Sequence, residues 1–153
     1  MRNFKFESIW LLSYNERKAR REVFHPKRNL ISGQNHTGKT TLIKSLFETL
    51  GASPQGKLGL WDKDVVSVVG FSVDDHQYRA LNKRGLRALF DIDGKLLVAT
   101  GDIRVWSDYF ASITGFNLVL SNKESSDHFA DPCCFFIPFY INQDGSWQSE
   151  WNT

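Results

Sequence analysis

The sequence predicts an α/β fold built on a strand, a glycine loop and a helix, with an antiparallel β-subdomain attached. Three observations carry it. The run "NLIS" is short and apolar and ends at Gly33. From Lys39 the apolar residues Leu42, Ile43, Leu46, Phe47 and Leu50 recur at helical spacing as far as Gly51, a C-terminal stop. From Lys57 onward the pattern switches to period two with short turns.

Taken in order, "FKFESIWLL" alternates and then becomes continuously apolar, as a strand entering a sheet does. "RNLIS" reads as a short buried strand leading into the loop. "DVVSVVGFSV", "QYRALNKRG", "LRALFDI" and "KLLVATG" read as an antiparallel meander, with Asp93-Gly94 at a tight turn. "DIRVWSDYFASITG" returns to helical spacing, with Asp102 as N-cap and Gly115 as stop. "FFIPFYINQ" reads as a last strand whose Pro138 demands an edge or a bulge.

A chain of 153 residues that is 41% hydrophobic suits about one domain with a real core. The formal charge of +2 is too small for a generic coat on a polyanion. Charge clusters locally, with Arg17, Lys18, Arg20, Arg21, Lys27 and Arg28 set against Glu16 and Glu22. That segment is either a solvated edge or a phosphate or nucleic-acid contact. The start of the chain carries interspersed charges in place of a secretory h-region, and "CCFFIPFYI" is too short to span a bilayer, so a cytoplasmic location is expected. Cys133 and Cys134 are adjacent, which suits core thiols better than a disulfide, and with His128 they lack zinc spacing.

The stretch "GQNHTGKT" satisfies G-x-x-x-x-G-K-[ST], the P-loop or Walker A pattern, at Gly33, Gly38, Lys39 and Thr40. Backbone N–H groups from Gly33 to Thr41, including Asn35, His36 and Thr37, would converge on phosphate oxygens. Lys39 would reach the β/γ-phosphates of ATP, and the Thr40 hydroxyl would ligate Mg²⁺. His36 stands where other ATPases place glycine, and reads as a tolerated turn residue or as one lying over the phosphates. Asp74, Asp75, Asp91 and Asp93 follow apolar runs and compete as a metal-side carboxylate, although all sit among hairpin signals. "NKES" from Asn122 fails the base-specificity pattern of GTPases at its last position.

The run "FHPKRNLISGQNHTGKTTLIKSLFETLGA" resembles the N-terminal half of the SMC-like ABC ATPases, which include SMC, RecF and RecN proteins. It is most similar to the bacterial SMC-like ATPases of DNA-repair and anti-phage-defence operons, in which a segment like "PFYINQDGSW" follows. The resemblance implies a P-loop NTPase, the N-terminal lobe of an ABC ATPase head, over residues 1–153. It implies Gln143 as the Q-loop residue that ligates Mg²⁺ and orients water, and Arg20 or Arg21 as a contact to the nucleotide phosphates. It also implies a second head, double-stranded DNA and defence or repair subunits as partners, with ATP hydrolysis only once a C-terminal lobe completes the site. Lys83, Arg84 and Arg87 are a second basic group that would either face DNA or be solvated strand positions. The competing readings are a stand-alone P-loop kinase or nucleotidase using Asp74 or Asp75, and a non-catalytic adaptor.

Overall fold

The computed structural model describes residues 2–34, 38–53, 64–121 and 127–139. Six strands, β1 (Phe4–Ser13), β2 (Lys18–Val23), β3 (Val66–Val73), β4 (His76–Lys83), β5 (Leu86–Asp91) and β6 (Leu96–Thr100), form one sheet in the order β2-β1-β3-β4-β5-β6. Each neighbouring pair is antiparallel. A small second sheet pairs β7 (Val119–Ser121) with β8 (Asp127–Phe129). Three short helices, α1 (Lys39–Thr49), α2 (Ile103–Thr114) and α3 (Pro132–Phe136), contribute to the core on one face of the large sheet.

This overturns the α/β expectation: the chain does not fold as a P-loop NTPase or as an ABC ATPase head lobe with a separate antiparallel subdomain. The antiparallel sheet is the main architecture, and the described residues include no parallel pair. The segment expected to be the loop strand forms no ladder. Leu30 is 91% exposed, and Asn29 spends its side chain locally, accepting from the His25 amide at 2.7 Å and donating to the His25 carbonyl at 2.8 Å. Such side-chain bonds compete with strand pairing. The place beside β1 is taken by β3 instead.

The meander forms over β3 to β6 as its period-two pattern predicts. At the β5–β6 turn Gly94 has φ +84°, and Asp91 Oδ1 accepts from the Lys95 amide at 2.8 Å. In β1 a bulge between Phe6 and Ser8 resolves the switch from alternating to continuous apolar residues. Phe4, Phe6, Ile9 and Leu11 all reach the helix-covered core, leaving Trp10 and Leu12 on the other face. The core is aromatic: Phe4, Phe6, Phe47, Phe110, Phe135 and Phe136 make stacked and edge-to-face pairs with centroids 4.9–6.1 Å apart. Pairs of this kind add roughly 0.5–1.5 kcal/mol each beyond the area they bury.

The last expected strand is also corrected over residues 135–139, while its remaining residues, 140–143, lie outside the described ones. "PCCFF" is α3, followed by a 3-10 turn over Ile137–Phe139. Pro132 sits at the start of α3, where a missing N–H costs nothing, and the helical turn sends both Phe135 and Phe136 into the aromatic cluster. Cys133 is buried there, as the core-thiol reading expects.

Candidate functional site

The glycine-loop segment ends at the start of α1, and its geometry begins with Gly38. Gly38 is the N-cap at φ +80°, a left-handed conformation that glycine adopts without strain. Its carbonyl accepts the first helical bond, from the Leu42 amide at 2.9 Å. Gly38 offers the helix no side-chain cap, and the positive end of the helix dipole lies at this end of α1. Lys39 then folds back across the segment. Its Nζ donates to the carbonyls of Gly33 and Gln34, each at 2.7 Å. One side chain thus pins the beginning of the loop to its end.

Thr40 and Thr41 are exposed at the same helix end, and a Cβ placed on Gly38 would meet no atom within 4 Å. Among the described residues this helix end gathers an ammonium, two hydroxyls and the first-turn amides of α1, donor types that suit phosphate oxygens. Asn35, His36, Thr37 and Gln143 lie outside the described residues.

The other end of α1 is anchored by contacts the sequence did not announce. Trp106 Nε1 on α2 donates to the Leu50 carbonyl at 2.8 Å. Thr49 Oγ1 donates to the Ser45 carbonyl at 2.6 Å, so the 2.6 Å contact between Thr49 Oγ1 and Ser67 Oγ has Ser67 as donor. Glu48 faces Arg87 of β5: burial pushes the Glu48 carboxyl up, and the Arg87 charge pulls it partly back. Burial correspondingly lowers Arg87, against the opposing pull of Glu48 and Asp131. Arg87 thus sits on the helix side of the sheet, not on a free basic surface. Arg84 is at a turn with φ +52° and pairs with Asp64, whose carboxyl that bond holds below its usual range.

Arg20 and Arg21 fall on opposite faces of β2. Arg20 pairs in register with Leu11, on the helix side, and its Nε bonds Glu22 at 2.8 Å. Arg21 pairs with Trp10 and lies 5.3 Å over its ring on the far face. Asp74 is a turn residue at φ +54°: its carboxylate accepts from the Asn3 amide at 2.8 Å, and its own amide donates to the Asn3 carbonyl. It closes the β3–β4 hairpin. Among the described residues no cluster of three or more His, Cys, Asp or Glu could hold a metal, and no helix is long and apolar enough to cross a membrane.

No protein-family model matches the chain, and no solved structure does. Two curated proteins are similar along nearly the whole chain. Lamassu protein LmuB of Bacillus cereus (strain VD014) is 28% identical over 151 residues, covering 98% of this chain and 26% of that protein. Lamassu protein LmuB of Bacillus sp. (strain NCIM 5461 / CCTCC AB 2011126 / NIO-1130) is 22% identical over 140 residues, covering 90% of this chain and 24% of that protein. The chain therefore spans about a quarter of the length of the Lamassu proteins it resembles.

Proposed function

We propose that the chain serves anti-phage defence as the ATP-binding segment of an SMC-like protein, with the segment from Gly33 to Thr41 holding the nucleotide phosphates. The observation that carries the nucleotide reading is the closure of that segment by Lys39 against Gly33 and Gln34. Closure brings the full positive charge of Lys39 to the N-terminal end of α1, where a triphosphate would be held. The defence role rests on the resemblance of the loop and of "PFYINQDGSW" to SMC-like defence ATPases, together with the similarity to the two LmuB proteins.

In this reading Mg²⁺ bound with the nucleotide neutralises phosphate charge, Thr40 and Gln143 supply oxygens to it, and Arg20 is the β2 arginine on the helix side. Hydrolysis awaits a C-terminal lobe and a second head, because the carboxylates the sequence offered for a metal role are engaged by main-chain amides, Asp74 by that of Asn3 and Asp91 by that of Lys95. Double-stranded DNA and further defence subunits are the partners this reading expects. The exposed basic positions Arg17, Lys18 and Arg28 are the groups offered to phosphates of the duplex.

The test is calorimetric titration of the chain with Mg·ATP. Binding by the wild type that disappears in Lys39→Ala, with the circular dichroism melt preserved, supports the reading. Wild-type affinity in Lys39→Ala, or no binding by the wild type, overturns the nucleotide assignment. ATP turnover by the chain alone should stay at background; turnover abolished by Asp74→Asn or Asp75→Asn would indicate a kinase or nucleotidase instead.

A further inference from the structure

The face of the large sheet turned away from the helices is also apolar. Strand register puts Trp10, Val68, Leu81 and Ala88 in one row across four strands, and Phe90 beside Leu96 in the next. An antiparallel sheet covered on one side alternates apolar with polar residues, whereas strands covered on both sides read as continuous apolar runs. "SIWLL" and "VVSVVGF" are of the second kind, yet Leu86 and Leu96 on this face are 53% and 51% exposed.

Cationic side chains predominate around the row, with Asp64 near Lys83 and Glu7 at the bulge as the acidic exceptions among the described residues. Lys5, Arg21, Arg79 and Lys83 occupy the same face by register and are exposed. The carboxylate that reaches it from a strand is Glu7, at the bulge, which accepts from Gln77 Nε2 at 3.1 Å. We propose that this face docks an amphipathic helix of a partner protein, its apolar stripe lying on Trp10, Val68 and Leu81 and its acidic flanks meeting Arg21, Arg79 and Lys83. Helices that cover an apolar surface present residues at i, i+3, i+4 and i+7, and flanking charge of opposite sign sets orientation and selectivity.

Two other occupants fit less well. A second copy of this chain, face to face about a two-fold axis, would bring the same cations toward one another. Single-stranded nucleic acid needs free ring faces for stacking, but Arg21 already lies over Trp10, and the row from Val68 to Ala88 offers no side-chain donor. The proposal is independent of the nucleotide reading, since the face lies across the sheet from α1.

The experiment is fluorescence anisotropy of the whole chain with labelled helical peptides of about 18 residues, long enough for five turns. One carries a leucine stripe flanked by glutamates, one the same residues in scrambled order, and one a stripe flanked by lysines. The glutamate-flanked peptide should bind at least about tenfold more tightly than either control. Arg79→Glu with Lys83→Glu, at two exposed positions, should abolish that preference and leave Mg·ATP binding unchanged. Leu86→Asp should weaken the same peptide with the thermal melt retained. No binding, equal binding of the scrambled or lysine-flanked peptide, or binding of a single-stranded oligonucleotide probe in place of the peptide would each overturn the proposal.

Discussion

Trp106 Nε1 donates to the main-chain carbonyl of Leu50 at 2.8 Å, across 56 positions of sequence. The bond satisfies a carbonyl left over at the end of α1 and fastens that helix to α2. With Thr49 held to Ser67 of β3, it fixes the C-terminal end of α1. Trp106→Phe keeps most of the buried ring and deletes the donor. A stability loss of about 1–3 kcal/mol is expected from the orphaned carbonyl, read as a fall of several degrees in Tm. An unchanged melt would show that the bond contributes nothing to the anchor.

Gly51 and Gly94 give a paired comparison. Both have positive φ, +88° and +84°, so alanine at either position is strained by about 1 kcal/mol. At Gly51 a Cβ would also lie 2.8 Å from Trp106 Cδ1, whereas at Gly94 it would meet nothing within 4 Å. Gly51→Ala should therefore lower the denaturation midpoint clearly more than Gly94→Ala. Equal losses in urea titrations would mean that the Trp106 ring gives way freely.

Glu48 should make stability depend on pH in a particular direction. Burial raises its folded-state pKa above 4.5, the ordinary value, with Arg87 opposing. The folded chain therefore holds a proton that the unfolded chain has released, and stability falls as pH rises from the ordinary value through the folded one. Glu48→Gln has no such proton. The wild-type stability minus that of the variant should decline over this interval and then level off, measured by urea denaturation between about pH 4 and 7. A difference that rises with pH would reverse the assignment of burial as the larger effect.

Burial, then the neighbouring Cys134, pushes the Cys133 thiol up to about 12, so almost no thiolate exists near neutrality. Native protein at about pH 8 should yield at most one thiol to an alkylating reagent, and both after denaturation. Two fast thiols in the native state would place Cys133 outside the core.

What was legible in the sequence divides along local and non-local lines. The hairpin at Asp93-Gly94, the Asp102 cap and the Gly115 stop of α2 are set by residues within a turn of each other, and the structure shows each where the pattern put it. The strand before the loop failed because an apolar run becomes a strand only if a neighbour pairs with it, and β1 is paired on both sides, with β2 and with β3. "FFIPFYI" failed for a related reason. A short apolar run fits strand and helix alike, and the aromatic cluster around Phe4 and Phe110 decided for a helix. At the candidate site, the start of α1 at Gly38 and Lys39 was legible from spacing. The Trp106 and Arg87 contacts to α1 were not, because nothing local marks which helix end a distant indole or guanidinium will reach.

Gly38 provides the sharpest test of how the loop would hold phosphate. Its φ of +80° is left-handed at the start of α1, and a side chain there would stand in open space. Any loss on substitution must then come from the backbone or from obstruction of the ligand itself. Alanine pays the left-handed strain, about 1 kcal/mol, while asparagine tolerates that region despite being larger. If backbone aim is what matters, Gly38→Asn should retain more Mg·ATP affinity than Gly38→Ala, with both folding as judged by circular dichroism. If room for the phosphates is what matters, the larger asparagine should be worse. Calorimetry on the two variants separates these outcomes, and equal wild-type affinity in both would mean that the N-terminal end of α1 is not where the nucleotide sits.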